Sequence, residues 1–339
     1  MERNYTEIRE KFYNKYKEED VKKQLECFIN QKLDLTTLDD KGKRYDKIIN
    51  NFFQEDIYNS ISARGVSSTL SPIQALYDDE MLNKIFEYID NKPNFYTGDD
   101  VANLKSFFRN AGKWVGKVAN FSPNVARKIY EKYCPFKNAT ILDYSCGFGS
   151  RMLGCLTSNN DYTYYGIDPN SKLNIKLNKL GKFINDIKPA KYKIFCQGSE
   201  EYIEELENKI DLAFSSPPYF NWEIYIDEET QSIKKYPNYN DWLEFYVRNT
   251  IYNIYKYLKE DGIFLINIKN LTRSKNNPKL LDDWLRIAKE LGFVLIDVVD
   301  MKHQASKSAI SKYQNEVLKN NYNYQGYKEP LLIFKKEEM

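Results

Sequence analysis

From residue 139 onward, short apolar segments alternate with segments of helical pattern. The apolar segments are five to seven residues long and contain many β-branched and aromatic residues, which is typical of buried strands. Strands that alternate with helices in this way form a mostly parallel sheet with helices on both faces. Seven segments are predicted as strands, the last two without a convincing helix between them: residues 139–143, 162–167, 192–196, 210–214, 262–268, 293–299 and 331–335. The alternation therefore predicts an α/β fold with a seven-stranded Rossmann-like sheet.

Capping residues mark the predicted helices. A serine followed by a proline is a typical helix start, because the serine side chain accepts an N-cap hydrogen bond and proline is favoured at the first helical position. The helices predicted from caps and periodicity are residues 71–90, 105–118, 122–133, 240–258 and 278–291. We therefore expect two parts: a mainly helical N-terminal region, residues 1–115, and the α/β domain, residues 116–339.

Composition excludes several classes of function. With 50 basic and 48 acidic residues the net charge is +2, so the chain is no polycation, and contacts with nucleic acid must come from local basic patches. A single histidine, His303, rules out a multi-histidine metal site. Five cysteines without a C-x-x-C pair argue against a disulfide framework and a zinc site. Together with the lack of an 18-residue apolar run and of a secretory signal, this favours a cytoplasmic protein without a metal.

A glycine-rich turn follows the first predicted strand. Gly147 and Gly149 allow a tight turn and let a ligand lie against the backbone. Asp168 ends the second strand, where an acid can accept hydrogen bonds from both hydroxyls of a ribose. The third glycine of the dinucleotide fingerprint is missing, and Asp143 inside the turn would repel a pyrophosphate but attract an amino group. These features favour S-adenosylmethionine over NAD, with a purely structural turn as the alternative.

The segment Ser216–Tyr219, with the sequence Ser-Pro-Pro-Tyr, follows the fourth predicted strand. Its two prolines lack amide donors, so the segment presents carbonyl oxygens and one hydroxyl as acceptors. Such a segment suits an amino group on a flat ring, and Tyr219 offers a face for stacking. The alternative is a proline-stiffened loop with a surface tyrosine. Its predicted place at the carboxyl edge of a parallel sheet, where ligands bind, favours the first interpretation.

The order of glycine turn, acid and Ser-Pro-Pro-Tyr resembles the S-adenosylmethionine-dependent amino-methyltransferases of DNA, which methylate cytosine N4 or adenine N6. The resemblance covers about Phe121 to Lys336 and is similar to the gamma-type motif order. Upstream, Phe121-Ser122-Pro123 resembles the motif that touches the methionine moiety. Serine at the head of the tetrapeptide is more typical of cytosine-N4 enzymes. The resemblance implies a class I methyltransferase fold, S-adenosylmethionine as cofactor, and a flipped base of DNA as substrate.

The resemblance also implies roles for individual residues. The residues implied to bind the cofactor are Phe121, Ser122, Pro123, Asp143, Tyr144, Gly147, Phe148, Gly149, Asp168, Pro169 and Ser199. Those implied to act on the target amino group are Ser216, Pro217, Pro218 and Tyr219. Gamma-type enzymes usually carry a recognition region after these motifs. Here we expect that role to fall to the N-terminal region, to long loops or to a partner.

Two basic loops are predicted at the same edge of the sheet. Basic residues interleaved with tyrosines suit phosphates and unstacked bases, although two solvated loops are the alternative. The candidate nucleic-acid contacts are Lys269, Arg273, Lys275, Lys307, Lys312 and Lys319. The long loop 220–239 is expected either to act as a lid or to pack against the N-terminal region.

Two other functions fit the same motifs. One is an RNA base methyltransferase, and the other is a non-catalytic subunit that binds the cofactor or a partner. Methylation of cytosine C5 is excluded, because it needs a cysteine nucleophile in a Pro-Cys setting, whereas Cys134 precedes Pro135.

Overall fold

The computed structural model describes residues 3–40, 45–62, 70–110, 114–116, 118–225, 228–270, 278–301 and 330–337. Seven strands form one sheet: β1 (Thr140–Asp143), β2 (Thr163–Ile167), β3 (Lys191–Phe195), β4 (Ile210–Ser215), β5 (Leu258–Asn267), β6 (Phe293–Asp300) and β7 (Pro330–Lys336). All seven predicted strands are confirmed. Their ends lie within one residue of the predicted ends, except that β5 begins four residues earlier.

The strand order is β3-β2-β1-β4-β5-β7-β6. The first five strands run parallel, and β7 lies antiparallel between β5 and β6. The chain reverses the direction in which it adds strands between β1 and β4, and open α/β sheets bind ligands at such a switch point, beyond the carboxyl ends of the strands. The topology confirms the predicted class I methyltransferase sheet and places the glycine turn and the tetrapeptide at neighbouring strand ends.

The helices lie before and between the strands. They are α1 (Tyr5–Phe12), α2 (Glu18–Ile29), α3 (Asp46–Asn59), α4 (Pro72–Leu76), α5 (Asp79–Asp90), α6 (Asp100–Asn110), α7 (Pro123–Tyr133), α8 (Ser150–Leu156), α9 (Ser171–Asn185), α10 (Ser232–Lys235), α11 (Tyr239–Asp241), α12 (Asn249–Tyr257) and α13 (Leu280–Glu290). A π-helical stretch, Trp242–Arg248, joins α11 to α12. Among the described residues, no helix combines the length and apolarity that a membrane span requires.

Several helices differ from their predicted bounds. The helix predicted over residues 71–90 is two helices, because the Asp78 side chain accepts a hydrogen bond from the Met81 amide (3.0 Å) and starts α5 anew. The helix predicted over 105–118 begins earlier, and its described part ends at Asn110. The helix predicted over 278–291 starts at Leu280, without a proline in its first turn. Ser122 caps α7 as predicted, since its hydroxyl accepts from the Val125 amide.

The N-terminal helices belong to two different cores. Helices α1, α4, α5 and α6 pack around their own cluster, and we call these four the helical bundle; its buried aromatic residues include Phe12, Phe86, Phe107 and Phe108. Helices α2 and α3 instead pack into the core that covers one face of the sheet. Phe53 of α3 is fully buried there and lies against the glycine turn.

Two buried cations on α7 bind the end of α2 and the segment that follows it. Arg127 Nη1 donates to the Phe28 carbonyl (2.6 Å), and Lys128 Nζ pairs with Asp39 (3.3 Å). The Ser122 hydroxyl at the start of α7 also donates to Asp40 (2.5 Å). Because buried charges need partners, these contacts hold the start of α7 in a defined position relative to the sheet.

If α3 is part of the core of the sheet, Phe53→Ala should destabilise the whole α/β unit. Removing a fully buried phenylalanine lowers the free energy of unfolding by about 3–5 kcal/mol. Phe95→Ala is the matched control, since this ring is 59% exposed and its loss should change stability by less than about 0.5 kcal/mol. Urea unfolding of both variants measures the difference. Equal, small changes would show that α3 does not support the sheet.

Candidate functional site

The glycine turn and Asp168 meet at the carboxyl ends of β1 and β2. The Gly147 amide donates to Asp168 Oδ2 (2.9 Å), and both Gly147 and Gly149 have a left-handed backbone, with φ of +53° and +73°. A Cβ on Gly147 would meet nothing closer than the Ser145 carbonyl oxygen at 4.0 Å. One on Gly149 would lie 2.9 Å from Leu180 Cδ2 and 3.3 Å from Phe53 Cε2. The turn is therefore packed tightly at Gly149 and is open at Gly147.

Asp168 is buried, with 9% exposure. Burial raises the pKa of its carboxyl to about 6, although amide hydrogen bonds from Asn170 and Gly147 act in the opposite direction. The group is thus mostly ionised at neutral pH and becomes protonated under mildly acidic conditions. An ionised carboxylate at this place can accept hydrogen bonds from a pair of hydroxyls.

Asp143 is fully buried beneath the turn. Its Oδ2 accepts from Arg151 Nε (2.9 Å) and from the Tyr164 hydroxyl (2.9 Å), and its Oδ1 accepts from the Ser215 hydroxyl (2.9 Å). One carboxylate thereby joins β1, β2, β4 and α8. These partners are all protein groups, and the expectation that Asp143 attracts the amino group of a ligand stays a prediction.

Two other predicted cofactor residues face the protein interior. Tyr144 is buried, and its hydroxyl donates to the Leu265 carbonyl (3.0 Å). Ser199 is also buried, and its hydroxyl is hydrogen-bonded to the Thr250 hydroxyl (2.9 Å). The Tyr144 ring packs in the core, and the roles of both residues at a cofactor stay predictions.

The remaining predicted cofactor residues border the turn. The Phe121 ring lies 5.6 Å from the guanidinium carbon of Arg151, and the Phe148 ring lies 6.0 Å from that of Tyr225. Pro123 is buried at the start of α7, and Pro169 is half-buried after Asp168. The segment Phe121-Ser122-Pro123 and the turn thus come together around Arg151.

The tetrapeptide Ser216–Tyr219 follows β4 directly. Its Ser216 and Tyr219 are half-buried, whereas the preceding Ser215 is buried and bonded to Asp143. Phe220 has a φ of +52°, a strained conformation for a bulky residue, and its ring packs on Trp242 at 5.5 Å. Contacts on both sides therefore hold the tetrapeptide at the carboxyl edge.

The chain after the tetrapeptide is tied to the N-terminal region. Residues Glu223–Ile224 pair antiparallel with Ile61–Ser62, and the Tyr225 hydroxyl donates to Glu223 (2.5 Å). Of the two expectations for the loop 220–239, packing against the N-terminal region is the one observed for this part. The strand pair connects the N-terminal region to the candidate site.

Two residues of the site were missed in the sequence. Arg151 stands directly after the Gly-Ser pair of the turn, and a basic residue at that place was a usable signal. Tyr246 lies on the π-helical stretch, and its side chain is buried beside Ser145 and Ser199. Burial raises the pKa of this tyrosine. Periodicity does not reveal a π-helix, so no sequence signal pointed to Tyr246.

Of the six residues predicted to contact nucleic acid, only Lys269 lies within the described ranges. Lys269 is half-buried directly after β5. The other five, Arg273, Lys275, Lys307, Lys312 and Lys319, lie outside the described residues, and so does His303. Within the described ranges, no group of three or more histidine, cysteine or acidic side chains is placed to hold a metal ion.

If Asp143 organises the site, Asp143→Asn should destabilise the protein strongly. The change keeps the size of the side chain but leaves buried Arg151 without its counter-charge, which costs about 3–5 kcal/mol. Glu205→Gln breaks an exposed pair with Lys193 and should cost less than about 1 kcal/mol. Urea unfolding compares the two. A loss no larger than that of Glu205→Gln would contradict the assigned role of Asp143.

Solved structures of other proteins show a remote similarity to the structure of this chain. A TehB-like S-adenosylmethionine-dependent methyltransferase from Corynebacterium glutamicum is 15% identical, with a TM-score of 0.40, over 75% of this chain and 99% of that chain. A S-adenosylmethionine-dependent O-methyltransferase from Thermotoga maritima is 12% identical, with a TM-score of 0.42, over 66% and 68%. Both scores lie below 0.5, so the fold assignment rests on the strand order.

Comparison of amino-acid sequences gives a more specific result than comparison of structures. An uncharacterized protein of Methanocaldococcus jannaschii is 26% identical over an alignment of 248 residues, and the alignment covers 65% of this chain. The match spans 62% of that relative, less than two thirds of its length. Residues 210–339 match the N6/N4 family model described as DNA methylase, and they include the tetrapeptide and strands β4 to β7. The match confirms, over residues 210–339, the resemblance to the N6/N4 amino-methyltransferases that the motifs predicted.

Proposed function

We propose that the protein transfers a methyl group from S-adenosylmethionine to the exocyclic amino group of a base in DNA, with cytosine N4 favoured over adenine N6. One observation carries the proposal: Ser216–Tyr219 stands beside the glycine turn. Strands β1 and β4 are parallel neighbours, and the Ser215 hydroxyl donates to Asp143 Oδ1 across them (2.9 Å). A methyl donor above the turn would therefore lie next to a receptor for amino groups.

The residues at the turn fit S-adenosylmethionine. Asp168 would hold the ribose hydroxyls, and the space above Gly147 would take the methionine half. When bound, the cofactor supplies an electrophilic methyl group. Asp143 and its partners would keep the turn in place, and the buried Phe148 would close its lower side.

The tetrapeptide would hold the target amino group. The Ser216 hydroxyl and the Pro217 carbonyl would accept hydrogen bonds from its two N–H groups, because neither proline has an amide proton to compete. This would point the lone pair of the nitrogen at the methyl group, so orientation supplies much of the catalysis. Tyr219 would stack on the base. The base has to leave the duplex, since a paired amino group is out of reach inside it.

The proposal names DNA and cytosine on two grounds. The matching family model is described as DNA methylase. Serine heads the tetrapeptide, as is more typical of cytosine-N4 enzymes. We propose that target recognition rests on the N-terminal region, which pairs with the segment after the tetrapeptide, and on the basic loops.

Methylation assays test the proposal. DNA and RNA oligonucleotides are incubated with the protein and with S-adenosylmethionine carrying a tritiated methyl group, then digested and analysed by mass spectrometry. We expect N4-methylcytosine in DNA. N6-methyladenine would correct the base, and methylated RNA alone would correct the substrate. 5-Methylcytosine would contradict the mechanism, and no labelled base in either would favour the non-catalytic subunit.

Changes in the tetrapeptide should separate base contacts from cofactor contacts. Tyr219→Ala removes stacking of about 1–3 kcal/mol and should slow methyl transfer, while cofactor affinity stays unchanged. Ser216→Ala should retain cofactor binding and lose rate, because the missing acceptor matters most as the amino nitrogen gains charge. Single-turnover kinetics and calorimetric titration with S-adenosylhomocysteine measure both quantities.

Tyr77→Ala serves as the control for these variants, because Tyr77 is 63% exposed and lies in the helical bundle region. It should change neither rate nor affinity. A loss of cofactor affinity in Tyr219→Ala as large as its loss of rate would place this tyrosine at the cofactor and not at the base.

Cofactor binding should weaken in mild acid. The carboxyl of Asp168 has a pKa raised to about 6. In the proposed site, ribose hydroxyls would donate to its ionised form. Below this pH the proton competes with the ligand, so the affinity for S-adenosylhomocysteine should fall by up to about tenfold per pH unit. Calorimetric titration between pH 5 and 8 checks this, with Asp168→Asn as the reference that titrates no proton. A flat profile in the wild type would remove Asp168 from the site.

A further inference from the structure

Arg151 is a buried cation at the second position of α8, with 6% exposure. Its Nε donates to Asp143 (2.9 Å), and its Nη2 donates to the Ser145 carbonyl. Among the described residues it is the one basic side chain hydrogen-bonded to the turn after β1. The guanidinium therefore lies directly beneath the place where a ligand would rest on the turn.

One edge of this guanidinium is unused. Its Nη1 makes no hydrogen bond within the described part of the chain, and it is not among the polar atoms sealed from solvent without a partner. The Phe121 ring, on the segment predicted to touch the methionine half, lies 5.6 Å from the guanidinium carbon. A donor with a free edge thus faces the region between Phe121 and the turn.

The charges around the turn indicate which kind of ligand group the Arg151 guanidinium can bind. Asp143 already has Tyr164 and Ser215 as hydrogen-bond donors besides Arg151. Asp168 adds a second negative charge on the other side of Gly147. An anionic ligand group at this edge therefore needs a cation, and a guanidinium fork matches a carboxylate better than an ammonium group does.

We propose that Arg151 binds the α-carboxylate of the methionine half of S-adenosylmethionine. The inference rests on the proposed function. It replaces the expectation that a carboxylate of the protein, Asp143, binds the amino group of the cofactor. Asp143 instead orients Arg151. The buried carboxylate holds the guanidinium in place, and the guanidinium binds the ligand.

The test compares ligands with and without the amino acid part. Wild type and Arg151→Lys are titrated calorimetrically with S-adenosylhomocysteine and with 5′-deoxy-5′-methylthioadenosine, which keeps the adenosine and the thioether. Lysine preserves the charge opposite Asp143 but loses the fork. We expect Arg151→Lys to lower the affinity for S-adenosylhomocysteine by about 10- to 150-fold and the affinity for methylthioadenosine by less than about twofold.

The matched control is Arg9→Lys in the helical bundle, an arginine with a carboxylate partner, Asp79, and a backbone acceptor, the Leu76 carbonyl. It should affect both ligands alike. Equal weakening of both ligands in Arg151→Lys, or no weakening, would overturn the proposal and leave Arg151 with a structural role. A wild type that binds neither ligand would instead refute the proposed function.

A second measurement needs no variant. Decarboxylated S-adenosylmethionine lacks the carboxylate alone, so the wild type should bind it about 10- to 150-fold more weakly than S-adenosylmethionine. Equal affinities for the two ligands would overturn the proposal even if Arg151→Lys failed to fold.

Discussion

The buried carboxylate of Asp143 is the contact on which the candidate site depends. It joins the end of β1 to β2 through Tyr164, to β4 through Ser215 and to α8 through Arg151. A charge with no exposure is tolerated only when its partners are complete, so these elements have one favourable arrangement. The glycine turn and Ser216–Tyr219, which would serve different substrates, are thereby kept in fixed relation to each other.

The N-terminal helices contribute to this arrangement from far away in sequence. Phe53 packs against Gly149, and Asp40 accepts from Ser122 at the start of α7. Helices α2 and α3 therefore help to shape the site, whereas the helical bundle has a core of its own. The short strand Ile61–Ser62 joins these parts to the segment after the tetrapeptide. Contacts made by the N-terminal region therefore reach the segment that directly follows the tetrapeptide.

The sheet and its motifs could be read from the sequence because they depend on local chemistry. Apolar runs predict buried strands, and Ser122 before Pro123 predicts a capped helix. The features that were missed depend on contacts between distant residues or on rare backbone geometry. Asp143 forms a buried ion pair with Arg151, Tyr246 lies on a π-helix, and α3 packs under the turn. The capping side chain of Asp78 was a local signal, but the continuous apolar periodicity concealed the break between α4 and α5.

Hydrogen–deuterium exchange of the whole protein, with and without S-adenosylhomocysteine, tests most directly whether the carboxyl edge of the sheet is one cofactor site. If this edge is one cofactor site, we expect slower exchange in peptides that contain residues 145–150, 168–170 and 197–199, and unchanged exchange in helices α5 and α6 of the helical bundle. Protection of the bundle without protection of the glycine turn, or no protection anywhere at saturating ligand, would contradict it.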